Sequence, residues 1–232
     1  MKRILLKLSG EALSNGSAEI YDSDFVDRVA AVLKSAVDEG YQIAVVVGAG
    51  NIWRGRQGVD MNQTSADRMG MLATVINSIY LKDSIVRAGA RSVVMTSVPM
   101  SPWAMPYTAD AAIEALDAGN IVILGGGLGV PFVSTDSAGA IRAAEISADA
   151  MYMAKNVDYL YTDDPRKNPN AKKIEKIRAS EVLALNLKAI DATATAFCMS
   201  NNIPIHVFGL KEPLDIIKAI RGETLGTVIS AD

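Results

Sequence analysis

The sequence predicts an α/β protein in which a mainly parallel sheet carries helices on both faces. Short runs of apolar, often β-branched residues alternate along the chain with amphipathic segments of helical length. Several of these runs hold almost no polar residue, as strands buried on both faces do. Three of them end in glycine-bearing loops, at Ser9-Gly10, Gly48-Ala49-Gly50 and Gly125-Gly126-Gly127. Ligands bind at the carboxyl ends of parallel strands, so these three strand ends are the first candidates for a binding site.

The elements of the first half follow from hydrophobic periodicity and from cap and turn residues. Strands are predicted at Arg3–Leu8, 43–47 and Ser92–Thr96, and from residue 121 onward. Helices are predicted from Asp22 or Ser23 to Gly40, from Thr64 or Ser65 to just before Gly89, over 108–118 and over 137–146. The long second helix is apolar over a wide arc, which indicates burial on two sides, with residues such as Ile79 or Ile85 between subunits. Residues 98–107 are expected to be irregular and 130–133 to be extended.

The pattern changes beyond Asp149, where a boundary between two lobes of one domain is expected. Short strands are predicted over 150–155 and 158–161, followed by a loop over 162–170. A helix over 189–201, a strand over 205–208, a helix over 213–221 and a final strand over 225–229 complete the chain.

Composition argues against several functional classes. With one cysteine, Cys198, and one histidine, His206, neither an internal disulfide nor a cysteine-rich or histidine-ligated metal site is expected. The net charge of -3 and the lack of a basic run argue against nucleic acid and anionic membranes as partners. The apolar start is interrupted by Lys7, which argues against a signal peptide, and no apolar run is long enough to span a membrane. We expect a cytoplasmic protein that acts on small molecules.

The polar residues at the strand ends fit anion binding better than acid–base chemistry. A hydrolase triad is not expected, since there is no serine elbow and His206 lies in an apolar strand, where a packed sheet residue is the better interpretation. Lys7-Leu8-Ser9-Gly10 is either half of a phosphate site or an ordinary turn. Arg54 is either a phosphate ligand or a surface charge, and Asp67 either a ligand or a residue favoured by the helix dipole. Phosphoryl transfer onto an acceptor that is already ionised, such as a phosphate monoester, needs anion sites and no base.

Six motifs of the sequence are informative when they are taken together. They are Lys7-Leu8-Ser9-Gly10, Gly48-Ala49-Gly50-Asn51 followed by Arg54-Gly55, residues 66–74 (ADRMGMLAT), residues 131–136 (PFVSTD), Val157-Asp158 with residues 161–165 (YTDDP), and Gly226-Thr227-Val228-Ile229. This set resembles the motifs of bacterial UMP kinases, within the amino acid kinase superfamily. The similarity runs nearly end to end. It implies a three-layer αβα sandwich that forms a single domain, with an acceptor-binding lobe over about 1–149 and an ATP-binding lobe over about 150–232.

The same resemblance implies an ATP-dependent UMP kinase that uses Mg²⁺ and forms a homohexamer. It also implies UTP as an inhibitor, bound at the acceptor site or between subunits, and GTP as an activator. The catalytic residues would be Lys7, Arg54 and Asp136. The ATP-binding residues would be Lys7, Leu8, Ser9, Gly10, Gly50, Arg54, Lys155, Tyr161 and Asp164. The UMP-binding residues would be Ala49, Asp67 at the ribose, and the run Leu128, Gly129, Val130, Pro131, Phe132, Val133, Ser134 and Thr135. The alternatives are a non-catalytic nucleotide-sensing protein on the same fold and a superfamily enzyme with another acceptor.

The chain departs from the family's pattern at three places. Leu128 and Val130 stand where the family carries Thr and Asn, so two polar side chains expected to read the uracil are absent. Ala49 replaces a glycine, which requires a negative φ or a rearranged loop. Residues 15–24 lack the Gly-aromatic-Gly pattern on which the expectation of GTP activation depends.

Overall fold

The computed structural model describes residues 2–53, 60–163, 165, 167–187 and 190–231. Two residues expected in the site, Arg54 and Asp164, lie outside these ranges. The segment 189–201, predicted as a helix, is described from residue 190 onward.

The described strands are β1 (Arg3–Leu8), β2 (Gln42–Val47), β3 (Ser92–Thr96), β4 (Met105–Pro106), β5 (Ile121–Gly125), β6 (Ala150–Lys155), β7 (Leu160–Tyr161), β8 (Lys173–Ile174), β9 (Lys176–Arg178), β10 (Ile205–Gly209) and β11 (Thr227–Ser230). Nine of them form one continuous sheet, in the order β4-β3-β5-β2-β1-β6-β10-β11-β9. Every neighbouring pair in it is parallel except β10 with β11, while β7 and β8 form a separate antiparallel pair. The central strands β1, β2, β5 and β6 are almost wholly buried, as their apolar sequences predict.

Helices cover both faces of this sheet. They are α1 (Gly10–Ser14), α2 (Ser23–Asp38), α3 (Gln63–Arg87), α4 (Ala109–Asp117), α5 (Thr135–Glu145), α6 (Ala179–Ala184), α7 (Ala192–Ser200) and α8 (Leu214–Arg221). One core lies between the sheet and α2, α3 and α8, and the other lies between the sheet and α4 to α7. The predicted α/β class and the three-layer αβα arrangement are therefore confirmed. No helix among the described residues is long and apolar enough to cross a membrane.

The long helix α3 differs in part from its prediction. It begins at Gln63, because the Asn62 side chain accepts a hydrogen bond from the Thr64 amide and caps it. Ile85 is fully buried in the protein's own core, so the expectation that it lies between subunits is wrong. Ile79 is 42% exposed. It belongs to an exposed stripe at helical spacing, which we call the α3 stripe: Met69, Leu72, Ile76, Ile79 and Val86.

Other differences occur where local pattern is weak. Residues 130–133 form a turn instead of an extended piece, with Phe132 at a φ of 65°. Helix α5 begins at Thr135, two residues earlier than predicted, with Ser134 as its cap. The short elements α1, β4, β8, β9 and α6 were not predicted, because two to six residues carry too little periodicity to identify them.

The single histidine has the structural role expected for it. His206 lies on β10, and its ring stacks on that of Tyr152 with the ring centroids 4.6 Å apart. Burial, with a smaller contribution from Lys2, lowers the pKa of His206 to about 4. The imidazole is therefore neutral at pH 7 and packs as a sheet residue.

Candidate active site

The loops that follow β1 and β2 meet at the carboxyl edge of the sheet. The two strands are parallel and adjacent, with Leu8 opposite Val47. A Cβ placed on Gly10 would lie 2.5 Å from the Gly50 amide nitrogen, and one placed on Gly48 would lie 2.9 Å from the Gly10 nitrogen. Because real Cβ atoms do not approach backbone so closely, only glycine allows these two loops to touch. The glycines singled out in the sequence thus bring two strand-end loops together.

A buried cluster of charges lies at the same edge and consists of Lys7, Asp136 and Lys155. The Lys7 Nζ is 2.8 Å from Asp136 Oδ1, and the Lys155 Nζ is 2.5 Å from Asp136 Oδ2. Their side chains are only 8%, 10% and 18% exposed for Lys7, Asp136 and Lys155. Lys7 is on β1, Lys155 ends β6, and Asp136 is in the first turn of α5, so three elements meet here. We call these three residues the charge cluster.

The electrostatics of the charge cluster favour an anion. Burial would raise the pKa of Asp136, but Lys7 and Lys155 outweigh that effect and hold this pKa below its usual range. Burial lowers the pKa of Lys155, and Asp136 opposes that change only in part. Two ammonium groups share one carboxylate, and Asp191 adds only the smallest of the electrostatic effects on Lys155, so the three residues carry a net positive charge where water is largely excluded. A phosphate at this place would supply the missing negative charge.

Helix N-termini add to the positive character of this edge. The Ser134 hydroxyl caps α5 by accepting a hydrogen bond from the Ser137 amide at 3.1 Å. The N-terminus of this helix, where Thr135 and Asp136 lie, carries partial positive charge from the aligned peptide dipoles. Asp191 caps α7 and accepts hydrogen bonds from the hydroxyls of both Ser134 and Ser137, which joins the starts of the two helices. Asp191 was not predicted, because from the sequence it is only a helix cap.

A cavity of about 270 Å³ opens between the β2 loop, α3 and the loop after β5. Seven of the residues expected to bind the nucleotides line it: Ala49, Gly50, Asp67, Leu128, Val130, Val133 and Thr135. Six further lining residues, which the sequence analysis did not assign to the site, are Trp53, Ala66, Gly70, Met71, Thr74 and Gly127. Four of these lie in the 66–74 motif, so the motif itself was the signal that could have identified them. We call this cavity the acceptor pocket.

Asp67 lines the acceptor pocket and does not cap its helix, which is capped by Asn62. Its Oδ1 accepts a hydrogen bond from the Gln63 side chain at 2.7 Å, and its Oδ2 accepts one from the Phe132 amide at 2.8 Å. The second contact ties α3 to the loop that closes the other side of the pocket. The left-handed φ of Phe132 turns its amide toward Asp67 while its ring stays 75% exposed. Of the predicted run 128–135, Gly129, Pro131, Phe132 and Ser134 do not line the cavity.

Helix α3 also fixes the loops on either side of the pocket. The fully buried Asn77 donates to the Gly48 carbonyl at 2.7 Å and exchanges hydrogen bonds with the Asn51 side chain. The Tyr21 hydroxyl donates to Asn77 Oδ1 at 2.8 Å. On the other side, the Thr74 hydroxyl accepts from the Gly126 amide at 2.8 Å. The amide of Asn77 and the hydroxyl of Thr74 thus hold two of the three glycine-bearing loops.

The expected ATP residues beyond Asp149 are brought together only in part. Lys155 is a member of the charge cluster, next to Lys7. Tyr161 lies on β7, in the separate β7–β8 pair, where its hydroxyl donates to Asp158 Oδ1 at 2.8 Å. Asp158 in turn lies against Gly209 at the end of β10, because a Cβ on Gly209 would be 2.9 Å from the Asp158 Cα.

Comparison with known proteins places this geometry in a family. A model of the amino acid kinase family matches residues 2–209. The crystal structure of UMP kinase from Bacillus anthracis is 37% identical, with a TM-score of 0.95 over 100% of this chain and 96% of that one. The UMP kinase from Ureaplasma parvum is 33% identical, with a TM-score of 0.93 over 99% and 98%. The uridylate kinase from Archaeoglobus fulgidus is 26% identical, with a TM-score of 0.76 over 99% and 100%. The chain therefore belongs to the amino acid kinase family.

Proposed function

We propose that the protein is an ATP-dependent UMP kinase, which transfers the γ-phosphoryl group of ATP to UMP and releases ADP and UDP. The observation that carries the proposal is the charge cluster at the edge of the acceptor pocket, in a chain whose similar solved structures are UMP kinases. Lys7 and Lys155, which share a single carboxylate, can bind the phosphates of ATP and UMP.

The reaction needs positioning and charge more than acid–base chemistry. An oxygen of the UMP phosphate attacks the γ-phosphorus of ATP, the bond to the bridging oxygen of the β-phosphate breaks, and ADP leaves. The attacking oxygen is already ionised near neutral pH, so the absence of a suitable histidine is no obstacle. Lys7 and Lys155 neutralise the charge that spreads over the transferring group, and Asp136 keeps both ammonium groups oriented toward it.

Within this proposal the two lobes divide the substrates. The acceptor pocket, in the lobe over about 1–149, takes UMP, with Asp67 accepting from the ribose hydroxyls and Thr135 next to the phosphate. The lobe over about 150–232, with Lys155, Tyr161 and Asp164, takes ATP. Ser9, Gly10 and Gly50 hold the transferring phosphates from the loops that meet beside Lys7. Arg54 completes the charge at the acceptor phosphate.

Magnesium would arrive with ATP. Among the described residues, no group of three or more His, Cys, Asp or Glu side chains could hold a metal ion. This fits a Mg²⁺ ion that keeps most of its ligands from the substrate phosphates and water, as the ion commonly does in kinases. The ion would supply positive charge to the transferring phosphates, and Lys7 and Lys155 supply it from the protein side.

The α3 stripe supports the proposal of a homo-oligomer. Five large apolar side chains, each 39–53% exposed, follow one face of a 25-residue helix, a pattern that marks a surface buried by a partner. We take the partner to be a second copy, with three such dimers forming a hexamer. Sedimentation at micromolar concentration tests this, and a stable 24.6 kDa monomer would contradict it.

The proposed effectors follow from the same site. UTP carries the uracil, the ribose and the first phosphate of UMP, so it competes in the acceptor pocket and raises the KM for UMP. GTP activation is the second proposed control. Titrating each nucleotide into the kinetic assay tests both, and a UTP effect on kcat alone would argue against competition at the pocket.

An assay of ADP formation with a panel of acceptors tests the proposed function. The panel contains UMP, a small carboxylic acid and an isoprenoid phosphate, each with ATP and Mg²⁺. ADP should form at a substantial rate with UMP alone of these three, and Lys7→Met should abolish it. Turnover with the acid or the isoprenoid phosphate but not with UMP would mean another acceptor. Nucleotide binding without any turnover would mean a nucleotide-sensing protein.

A further inference from the structure

We propose that the acceptor pocket recognises the phosphate, the ribose and the size of a pyrimidine ring, but not the pattern of hydrogen-bonding groups on the edge of the base. CMP is then an acceptor alongside UMP. This inference rests on the proposed function, because it concerns the acceptor of the same reaction. It comes from the described lining of the pocket, in which polar side chains are few and those of Trp53, Asp67 and Thr74 form hydrogen bonds within the protein.

The polar end of the pocket is set by the charge cluster. Thr135 lines the cavity and is followed in the chain by Asp136, which holds Lys7 and Lys155. The acceptor phosphate therefore lies at this end. The base lies at the far side of the ribose from the phosphate, so it meets the rest of the lining.

That remaining lining is apolar apart from Asp67, Thr74 and the indole of Trp53. Its other described members carry hydrocarbon or thioether side chains or none: Ala49, Gly50, Ala66, Gly70, Met71, Gly127, Leu128, Val130 and Val133. The Watson–Crick edge of uracil presents an N–H between two carbonyls, whereas that of cytosine presents an amino group and an unprotonated nitrogen. Leu128, Val130 and Met71 cannot distinguish these edges, since they neither donate nor accept a strong hydrogen bond.

The polar side chains near the base are engaged with the protein itself. The Thr74 hydroxyl donates to the Met71 carbonyl at 2.6 Å and accepts from the Gly126 amide at 2.8 Å. The Trp53 indole N–H donates to the Ala66 carbonyl at 2.9 Å. Asp67 accepts from Gln63 and Phe132, and as a carboxylate it can accept further hydrogen bonds but donate none. It suits ribose hydroxyls, and it offers no donor to a base carbonyl.

Backbone groups of the loop after β5 are also engaged internally. The Gly126 amide is bound by Thr74, and the Gly126 carbonyl accepts from both the Gly129 amide and the Ser97 hydroxyl. The Gly127 carbonyl accepts from the buried Arg142 guanidinium, and the Phe132 amide is bound by Asp67. These contacts hold the shape of the loop and occupy the Gly126 amide and carbonyl, the Gly127 carbonyl and the Phe132 amide, which would otherwise be available to the base.

The size of the effect follows from how polar and apolar sites discriminate. A site that hydrogen-bonds a substrate group rejects the analogue lacking it by about 10⁴-fold or more, because its own polar groups are left unpaired. A pocket without such groups rejects a near-isostere by at most ~100-fold. Cytosine and uracil are nearly the same size, so kcat/KM for UMP should exceed that for CMP by less than ~100-fold. Purine monophosphates should fail on size.

The decisive experiment compares kcat/KM for UMP and CMP, with dissociation constants for both measured by calorimetry on the same preparation. A UMP-to-CMP ratio below ~100 in kcat/KM is expected, with a similar bound on the ratio of dissociation constants. A ratio above that value overturns the inference. Deoxy-UMP is the internal control, since loss of a hydroxyl that bonds a carboxylate should cost about 10-fold or more and shows that the assay detects a lost polar contact.

Two variants test whether the apolar lining is the cause. Leu128→Thr and Val130→Asn each place a polar group in the lining, and at least one should change the UMP-to-CMP ratio more than 10-fold. Leu214→Asn, at an exposed position on α8 outside the pocket, should leave the ratio unchanged. If no nucleoside monophosphate is phosphorylated, the proposed function fails, and the ratio of dissociation constants still decides the inference about the pocket.

Discussion

Replacing Asp136 by Asn removes the only carboxylate that the charge cluster contains. Lys7 and Lys155 then remain in a largely buried site, 8% and 18% exposed, without the carboxylate that pairs with both of them, and Asp191 compensates Lys155 only weakly. Breaking a buried ion pair by removing one partner costs roughly 3–5 kcal/mol. For a protein of this size each kcal/mol corresponds to about 2–4 °C in the melting temperature. The variant should therefore melt about 6–20 °C below the wild type.

The same substitution should increase the stabilising effect of a bound nucleotide. A ligand that binds only the folded protein stabilises it by an amount that grows with the logarithm of the ligand concentration divided by its dissociation constant. In the variant the phosphates of a non-hydrolysable ATP analogue supply the negative charge that the two lysines have lost. The analogue should thus raise the melting temperature of the variant by more than it raises that of the wild type, while kcat stays far lower.

Thermal denaturation with and without the analogue is the assay, and Asp38→Asn is the matched control. Asp38 pairs with Lys34 on the surface, where its side chain is 61% exposed, so its loss should cost no more than ~0.5 kcal/mol.

The pH dependence of the melting temperature gives a second readout. The pKa of Asp136 is lowered in the folded protein, so its stabilising contribution is present above the unfolded pKa and is lost as the pH falls through the folded pKa. A melting temperature like that of the control would refute this account of the cluster.

Three further changes test other parts of the structure. Asn77→Leu removes the buried amide that binds the Gly48 carbonyl, so the free energy of unfolding measured with urea should fall by roughly 2–4 kcal/mol. The kcat/KM should also fall, because the loop after β2 is held less firmly. An unchanged kcat/KM would argue against a positioning role for Asn77. Burial and Lys2 hold the pKa of His206 at about 4, against 6.5 unperturbed. The unfolded protein therefore takes up this proton first, and the free energy of unfolding should decrease by roughly 3 kcal/mol as the pH falls from 6.5 to 4. Denaturant curves measured over this pH range should lack that decrease in His206→Phe. Ile76→Glu places a charge in the α3 stripe, where Ile76 is 52% exposed, and should shift the sedimentation coefficient toward the monomer; an unchanged coefficient would mean that the stripe faces solvent.

The strand ends could be predicted because their signal is local. Lys7 and Gly10 follow an apolar run directly, and Asp136 stands at the start of a helical pattern, so each could be assigned to the carboxyl edge of a parallel sheet. The prediction for residues 130–133 was wrong because their conformation depends on a distant residue. Val-Pro-Phe-Val favours extended chain, but the hydrogen bond from the Phe132 amide to Asp67, 65 residues away in sequence, stabilises a turn.

The supporting residues could not be predicted, because their roles depend on distant partners. Asn77 contacts a loop 26–29 residues earlier in the chain, and Asp191 contacts hydroxyls 54–57 residues earlier. In the sequence, Asn77 is one of several polar residues in a helix with a wide apolar arc. The wide apolar arc of α3 likewise did not separate Ile85, which faces the core, from Ile79, which faces outward. Burial on two sides was a sound inference, but only the fold assigns each side chain to a side.

In the proposed reaction, phosphoryl transfer takes place at the charge cluster, with UMP in the acceptor pocket. A crystal structure with UMP and a non-hydrolysable ATP analogue tests it most directly. We expect the γ-phosphate oxygens within about 3 Å of Lys7 Nζ. The UMP phosphate should lie beside Thr135, and the ribose hydroxyls against Asp67. Phosphates bound elsewhere, with Lys7 and Lys155 still paired only to Asp136, would contradict the account.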